Sequence, residues 1–223
     1  MIKLKDITMK YNDNGTEIEA LKLKELNIEK GKHVAFIGAS GCGKTTLFNL
    51  ISGMITPTSG SVEVNDVDIT SLNEVERDLY RANSIGYIFQ DFNLFPEFTV
   101  LQNVILPMSF SKRYTKKEMN ELAKDILKKV GMSEKINQKV KSLSGGEKQR
   151  VAIARSIVNK PDVILADEPT GNLDYKNGAK IMELIEKMAK ENNATLLVIT
   201  HNNSQLDMFD EVINIEELNE AIK

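Results

Sequence analysis

Four short apolar runs, each closing on a polar residue suited to phosphate chemistry, constrain this chain more than any other feature. HVAFI at 33–37 leads into Gly38-Ala39-Ser40-Gly41-Cys42-Gly43-Lys44-Thr45, and SIGYIF at 84–89 ends at Gln90. DVILA at 162–166 ends at Asp167-Glu168, and TLLVIT at 195–200 ends at His201. Runs this short and this apolar read as strands buried on both faces of a parallel sheet. Ligands of such sheets bind outside the carboxyl ends of the strands, so the four endings are expected on one rim.

The remaining pattern supplies the helices and a second lobe. Residues 1–30 alternate loosely around the turn Asn12-Asp13-Asn14-Gly15, which predicts an antiparallel hairpin. A helix is expected over Thr46–Ile51, closed by Gly53, and a short strand over Ser61–Val64. Residues 100–132 read as helical with breaks at Pro107 and at Arg113-Tyr114. Helices are also expected over 146–158 and 175–192. Strands and helices therefore alternate, which predicts an α/β fold with a parallel core sheet. Residues 91–158 carry helices only and read as a helical subdomain inserted into a core formed by 1–90 and 159–223.

Composition narrows the partners. A net charge of −3 gives no basic field to draw the chain onto nucleic acid or anionic lipid. Cys42 is the one cysteine, so no internal disulfide can form. The amino-terminal MIKLKDITMKY holds no secretory signal, and no window approaches the roughly 18 apolar residues that a span requires. The expectation is a soluble cytosolic chain that meets a membrane only through a partner.

The sequence Gly38-x-x-x-x-Gly43-Lys44-Thr45 has the spacing of a phosphate-binding loop. Its glycines let the backbone curl until several N–H groups face one point, and the next helix adds its positive end. In that pattern Lys44 reaches the β- and γ-phosphates and Thr45 holds Mg²⁺ through its hydroxyl. Adjacent carboxylates at a strand end are costly without a cation, so Asp167 fits a metal ligand. Glu168 is placed to polarise a water for attack on the γ-phosphate. Gln90 can face the metal or that water, and His201 shares the rim. Ser144-Gly145-Gly146 opens a helix and so makes a second anion site. One nucleotide has no need of two such sites in one subunit, which suggests that the second serves a nucleotide held by another copy.

Taken in order, residues 38–45, Gln90, LSGGEKQR at 143–150, VILADEPT at 163–170, Gly171-Asn172-Leu173-Asp174 and His201 resemble the nucleotide-binding subunits of ATP-binding-cassette transporters. The wording around Gln90 and Asp174 is similar to the macrolide-exporter, lipoprotein-release and FtsE-type branch. The resemblance spans essentially the whole chain. It implies a P-loop ATPase fold with an amino-terminal antiparallel β lobe, a parallel core sheet and an inserted helical subdomain, the whole of 1–223 forming one cassette domain. It further implies that ATP and Mg²⁺ are held by Gly38, Ala39, Ser40, Gly41, Cys42, Gly43, Lys44, Thr45 and Thr46, with Tyr11 stacked on adenine. Thr45, Gln90 and Asp167 then face the metal, and Glu168, His201, Gln90 and Lys44 carry the catalysis. Ser144, Gly145, Gly146 and Asp174 complete the site of a second subunit, in a homodimer or beside a similar chain. A transmembrane permease is the implied partner and the cytoplasmic face of a bacterial membrane the implied place. An FtsE-like role without transport, or a soluble cassette ATPase, are the alternatives. Phe92, Leu94, Phe95, Pro96 and Phe98 are expected to form the groove that receives the permease. Cys42 is expected to leave the loop open to thiol reagents. The segment Glu216-Glu217-Leu218-Asn219-Glu220 lacks the family's glycine turn and final strand.

Overall fold

A computed structural model describes residues 1–13 and 15–222. Two compact units emerge, Met1–Asp78 with Leu197–Lys223, and Leu79–Leu196. In chain order the elements are β1 (Ile2–Asp13), β2 (Thr16–Ile28), β3 (His33–Ile37), α1 (Lys44–Ile51), β4 (Ser59–Val64), β5 (Val67–Asp68) and α2 (Glu74–Ser84). There follow β6 (Ile85–Ile88), α3 (Val100–Ser111), α4 (Lys116–Lys129), α5 (Gly145–Ile157), β7 (Val163–Asp167), α6 (Tyr175–Glu191), β8 (Thr195–Ile199), β9 (Glu211–Asn214) and α7 (Ile215–Leu218).

The first unit holds an antiparallel sheet in the order β2-β1-β4-β5. Its hairpin closes where expected: Gly15 has φ +91° and donates its N–H to Asn12 Oδ1 at 2.9 Å. Asn14 of that turn lies outside the described residues. Along β1 the buried side chains are Ile2 and Leu4, then Ile7 and Met9, so the two-residue period slips once. The slip coincides with Asp6 at φ +49° and a register shift against β4 between Lys5 and Thr8. A bulge there inserts one residue and returns the apolar set to the same face. In this unit β3 also lies parallel to β9, with Val34 opposite Glu211 and Ile37 opposite Asn214. That pairing fixes the end of β3, from which the glycine-rich loop departs.

In the second unit β6 and β7 are parallel, Ile85 facing Val163 and Ile88 facing Ala166. The first four residues of β7 are buried, which fits a strand covered on both faces. All five residues of β8 are buried too, and the boundary of the two units falls within it. Thr195 at the start of β8 donates its N–H to Asp162 O at 2.9 Å.

One reading requires correction. The helix does not break at Pro107; α3 runs through it. Proline removes a single intrahelical donor, at a cost of about 3 kcal/mol. Complete burial of Val100, Val104 and Met108 offsets that, as does a Thr99–Gln102 capping box at the start. The other expected break is present, with Lys112 at φ +56° before α4 opens on its own Thr115–Glu118 box. Residues 216–220 carry no strand, as read, and begin within the short helix α7; a late strand, β9, for which no expectation stood, lies just ahead of them. β9 is short and mostly exposed, so it carries little apolar signal.

Candidate active site

Between β3 and α1 the backbone passes through three left-handed glycines, Gly38 at φ +141°, Gly41 at +83° and Gly43 at +100°. A Cβ at Gly43 would lie 2.9 Å from Ala20 O, so that position excludes a side chain. α1 begins at Lys44, and its first N–H groups have no helical partners of their own. Lys44 is buried and donates from Nζ to Gly38 O and Ala39 O, each at 2.7 Å. Carbonyl dipoles thus solvate its ammonium, which leaves the loop with an excess positive charge beside a helix start. That combination suits a phosphate. Thr45 is exposed on the first turn and Thr46 is half-buried. Cys42 contradicts its expectation: it is 3 % exposed, with its sulfur against the Gly38 backbone, so a reagent cannot reach the thiol without opening the loop. His201 follows β8 exposed, and Tyr11 is 40 % exposed on β1 opposite Ile18. These residues all belong to the first unit.

The second unit brings Gln90 and Glu168 together. Gln90 Nε2 donates to Glu168 Oε2 at 3.2 Å, and Asn172 Nδ2 holds the Gln90 carbonyl at 3.0 Å. β7 ends at Asp167, and Glu168 turns out of it at φ +43°, a left-handed conformation costly for a side-chain-bearing residue. Such strain recurs at functional positions. The Gly171 N–H donates to Glu168 O at 3.0 Å and helps to hold the turn. Beneath it, burial and then the Asp167 charge keep the Tyr87 phenol protonated far above its ordinary range. Among the described residues, no group of three or more His, Cys, Asp or Glu gathers as a metal cage. Mg²⁺ does not need one, because it keeps water and takes substrate oxygens beside one or two carboxylates.

Ser144 caps α5 by a reciprocal capping box with Glu147, whose carboxylate Lys135, then the Ser144 N–H, hold below the usual range. Ser144, Gly145 and Gly146 share one open cleft of about 460 Å³ with Asn172, Leu173 and Asp174. So the residues assigned to a second subunit's nucleotide lie together. Asp174 also caps α6, accepting the Asn177 N–H at 3.1 Å, which lowers its pKa.

The segment after Gln90 is built on groups that carry little local signal. Arg155 donates to Asn93 O and, at 2.8 Å, to Phe92 O, holding both residues at positive φ. Burial lowers its pKa to about 10, so it stays charged at neutral pH. Asn103, fully buried inside an apolar helix, accepts the Phe95 N–H at 2.8 Å and donates back to Phe95 O at 3.0 Å. A buried amide in such a run is the one signal the sequence offered. Phe92 and Leu94 are half-buried, whereas Phe95 and Phe98 are 49 % and 39 % exposed and stack with centroids 5.1 Å apart.

Comparisons with known proteins agree with this geometry. A family model described as ABC transporter matches residues 21–171. The lipoprotein-releasing system ATP-binding protein LolD of Saccharophagus degradans is 38 % identical over 216 residues, covering 97 % of this chain and 94 % of its own. Among solved structures, the dimeric ATP-binding cassette MJ0796 in a post-hydrolysis state, bound to ADP and Pi, matches with a TM-score of 0.89 at 39 % identity. That match covers 99 % of this chain and 95 % of the other. CbiO1 of Clostridium perfringens, part of the ABC transporter complex cbiONQ, gives a TM-score of 0.82 at 30 % identity, over 96 % of this chain and 83 % of its own.

Proposed function

This chain belongs to the ABC transporter family, and from that premise we propose how its residues divide the work. It is an ATP-binding subunit that hydrolyses ATP to ADP and phosphate. The loop 38–46 takes the triphosphate, Lys44 meets its β- and γ-oxygens, and Tyr11 stacks on the adenine. Thr45, Gln90 and Asp167 hold Mg²⁺, which when bound would neutralise charge developing on the phosphates. Glu168 accepts a proton from the attacking water, Gln90 orients that carboxylate, and His201 faces the γ-phosphate. The phosphate loop carries the reading: left-handed glycines, a helix start and a buried ammonium that bonds the Gly38 and Ala39 carbonyls and lies 3.7 Å from the Cys42 sulfur. Lys44→Ala should lose ATP affinity by about 10-fold or more, the scale of a charge-assisted bond to phosphate, and nearly all turnover. Calorimetric titration with MgATP measures it, and unchanged affinity with unchanged turnover would defeat the assignment.

The chain acts as a pair. A head-to-tail dimer would enclose two MgATP, each between the loop of one copy and Ser144, Gly145, Gly146 and Asp174 of the other. The shared cleft of those four residues and the dimeric state of the MJ0796 cassette support this reading. The whole of 1–223 is one cassette domain with 91–158 as its helical insert.

A transmembrane permease is the proposed partner, and the cytoplasmic face of the membrane the proposed place. No helix among the described residues is long and apolar enough to cross a membrane. Phe95 and Phe98 offer an exposed stacked pair, and Asn103 holds the Phe95 backbone in place. Clustered exposed aromatics mark interfaces, and a helix-in-groove mode suits them. Phe95→Asp should preserve the melting temperature and MgATP binding while weakening co-purification with the membrane subunit. Full co-purification by the folded variant would place the docking surface elsewhere.

A further inference from the structure

The segment after β9 reaches back to the phosphate loop through two side chains. Asn219 is completely buried and uses all four of its hydrogen-bonding positions. Its Oδ1 accepts the Lys22 N–H at 2.8 Å and the Ala221 N–H at 3.0 Å. Its Nδ2 donates to Ala20 O and to Cys42 O, each at 3.1 Å. The carboxamide thus ties β2, its own turn and the phosphate loop at one point. Glu216, on α7, accepts the Ala39 N–H at 2.7 Å.

Peptide planarity turns these bonds into aim. In a trans peptide the C=O and the following N–H point in opposite directions. With Cys42 O drawn to Asn219, the Gly43 N–H is directed away from Asn219. The Gly38–Ala39 peptide is held at both ends, its oxygen by the Lys44 ammonium and its N–H by the Glu216 carboxylate. A phosphate loop works through the direction of its N–H groups, and its left-handed glycines would otherwise leave that direction loose.

We infer that Asn219 and Glu216 are positioning residues for the phosphate loop, setting ATP affinity by fixing two of its peptide planes. The inference rests on the reading that this loop binds the triphosphate. Neither side chain enters the chemical step, so a split between binding and turnover follows. Loss of one buried hydrogen bond should raise KM and Kd for ATP about tenfold and leave kcat at saturating ATP within about twofold.

Three variants of the full chain test it by calorimetry and steady-state ATPase assay. Asn219→Asp keeps the acceptor for Lys22 and Ala221 but loses both donors, to Ala20 O and to Cys42 O. It should show the tenfold rise in KM with kcat retained. Glu216→Ala removes a half-buried surface carboxylate without emptying the core, so it remains informative even where Asn219→Asp melts early. Its KM should rise by about threefold, less than Asn219→Asp because its bond is less buried, and Glu216→Gln, which keeps an acceptor for Ala39, should restore the wild-type value. A wild-type KM in Glu216→Ala, or a fall in kcat with KM unchanged in either folded variant, overturns the inference. Lys44→Ala serves as the control: if it has no effect, the loop assignment fails, whereas an inactive Lys44→Ala beside normal Asn219 and Glu216 variants rejects the clamp alone.

Discussion

Glu168→Gln should slow ATP turnover by about 10²–10⁴-fold while leaving ATP affinity nearly unchanged, the range expected when a general base is removed. The substitution is isosteric. Gln90 Nε2 now donates to a carboxylate oxygen at 3.2 Å, and the new amide can present its own oxygen to the same donor. The left-handed backbone at φ +43° makes the same demand on either residue. Only the capacity to accept a proton is lost. Substrate then enters and is not consumed, so the ATP-bound pair should persist as a stable dimer. Size-exclusion chromatography with light scattering in MgATP should show that dimer for the variant, and a monomer without nucleotide. Hydrolysis at the native rate would show that Glu168 is not the base.

What the sequence made legible follows from where the burial is. β3 has the bounds read for it, and β7 and β8 differ by a residue or two, because continuous apolar runs leave little freedom of assignment. The phosphate loop was legible because glycine spacing reports backbone conformation directly, and Gly38, Gly41 and Gly43 are all left-handed. α2 gave no signal, since Tyr80 is its one buried residue and Val75 and Leu79 stand exposed among charged neighbours. β9 hid for the same reason. The continuity of α3 through Pro107 depended on tertiary burial, which local propensity does not contain. Cys42 looked reactive by position, and only the packing of its sulfur against Gly38 shows it enclosed. The roles of Asn219 and Glu216 depend on partners 177 or more residues away in the chain, a separation no local pattern encodes. Near the candidate base, Asn172 was visible as part of a motif, but its grip on the Gln90 carbonyl was not.

The central claim is that two chains share each nucleotide site, and mixing two inactive variants tests it most directly. Lys44→Ala disables the loop that a chain brings to its own nucleotide. Gly146→Asp places a carboxylate at the α5 start, in the cleft shared with Asp174, where it would repel a partner's phosphate. The backbone accepts that change: nothing lies within 4 Å of a Cβ at Gly146, its φ is not left-handed, and an acid in the first turn suits the helix dipole. Each variant alone breaks both sites of its homodimer. In a mixed dimer one site carries both defects and the other carries neither. Combining the two inactive proteins, with mixed dimers verified by differential tags, should therefore regain ATP hydrolysis. If verified mixed dimers regain none, the sites are not completed across the pair.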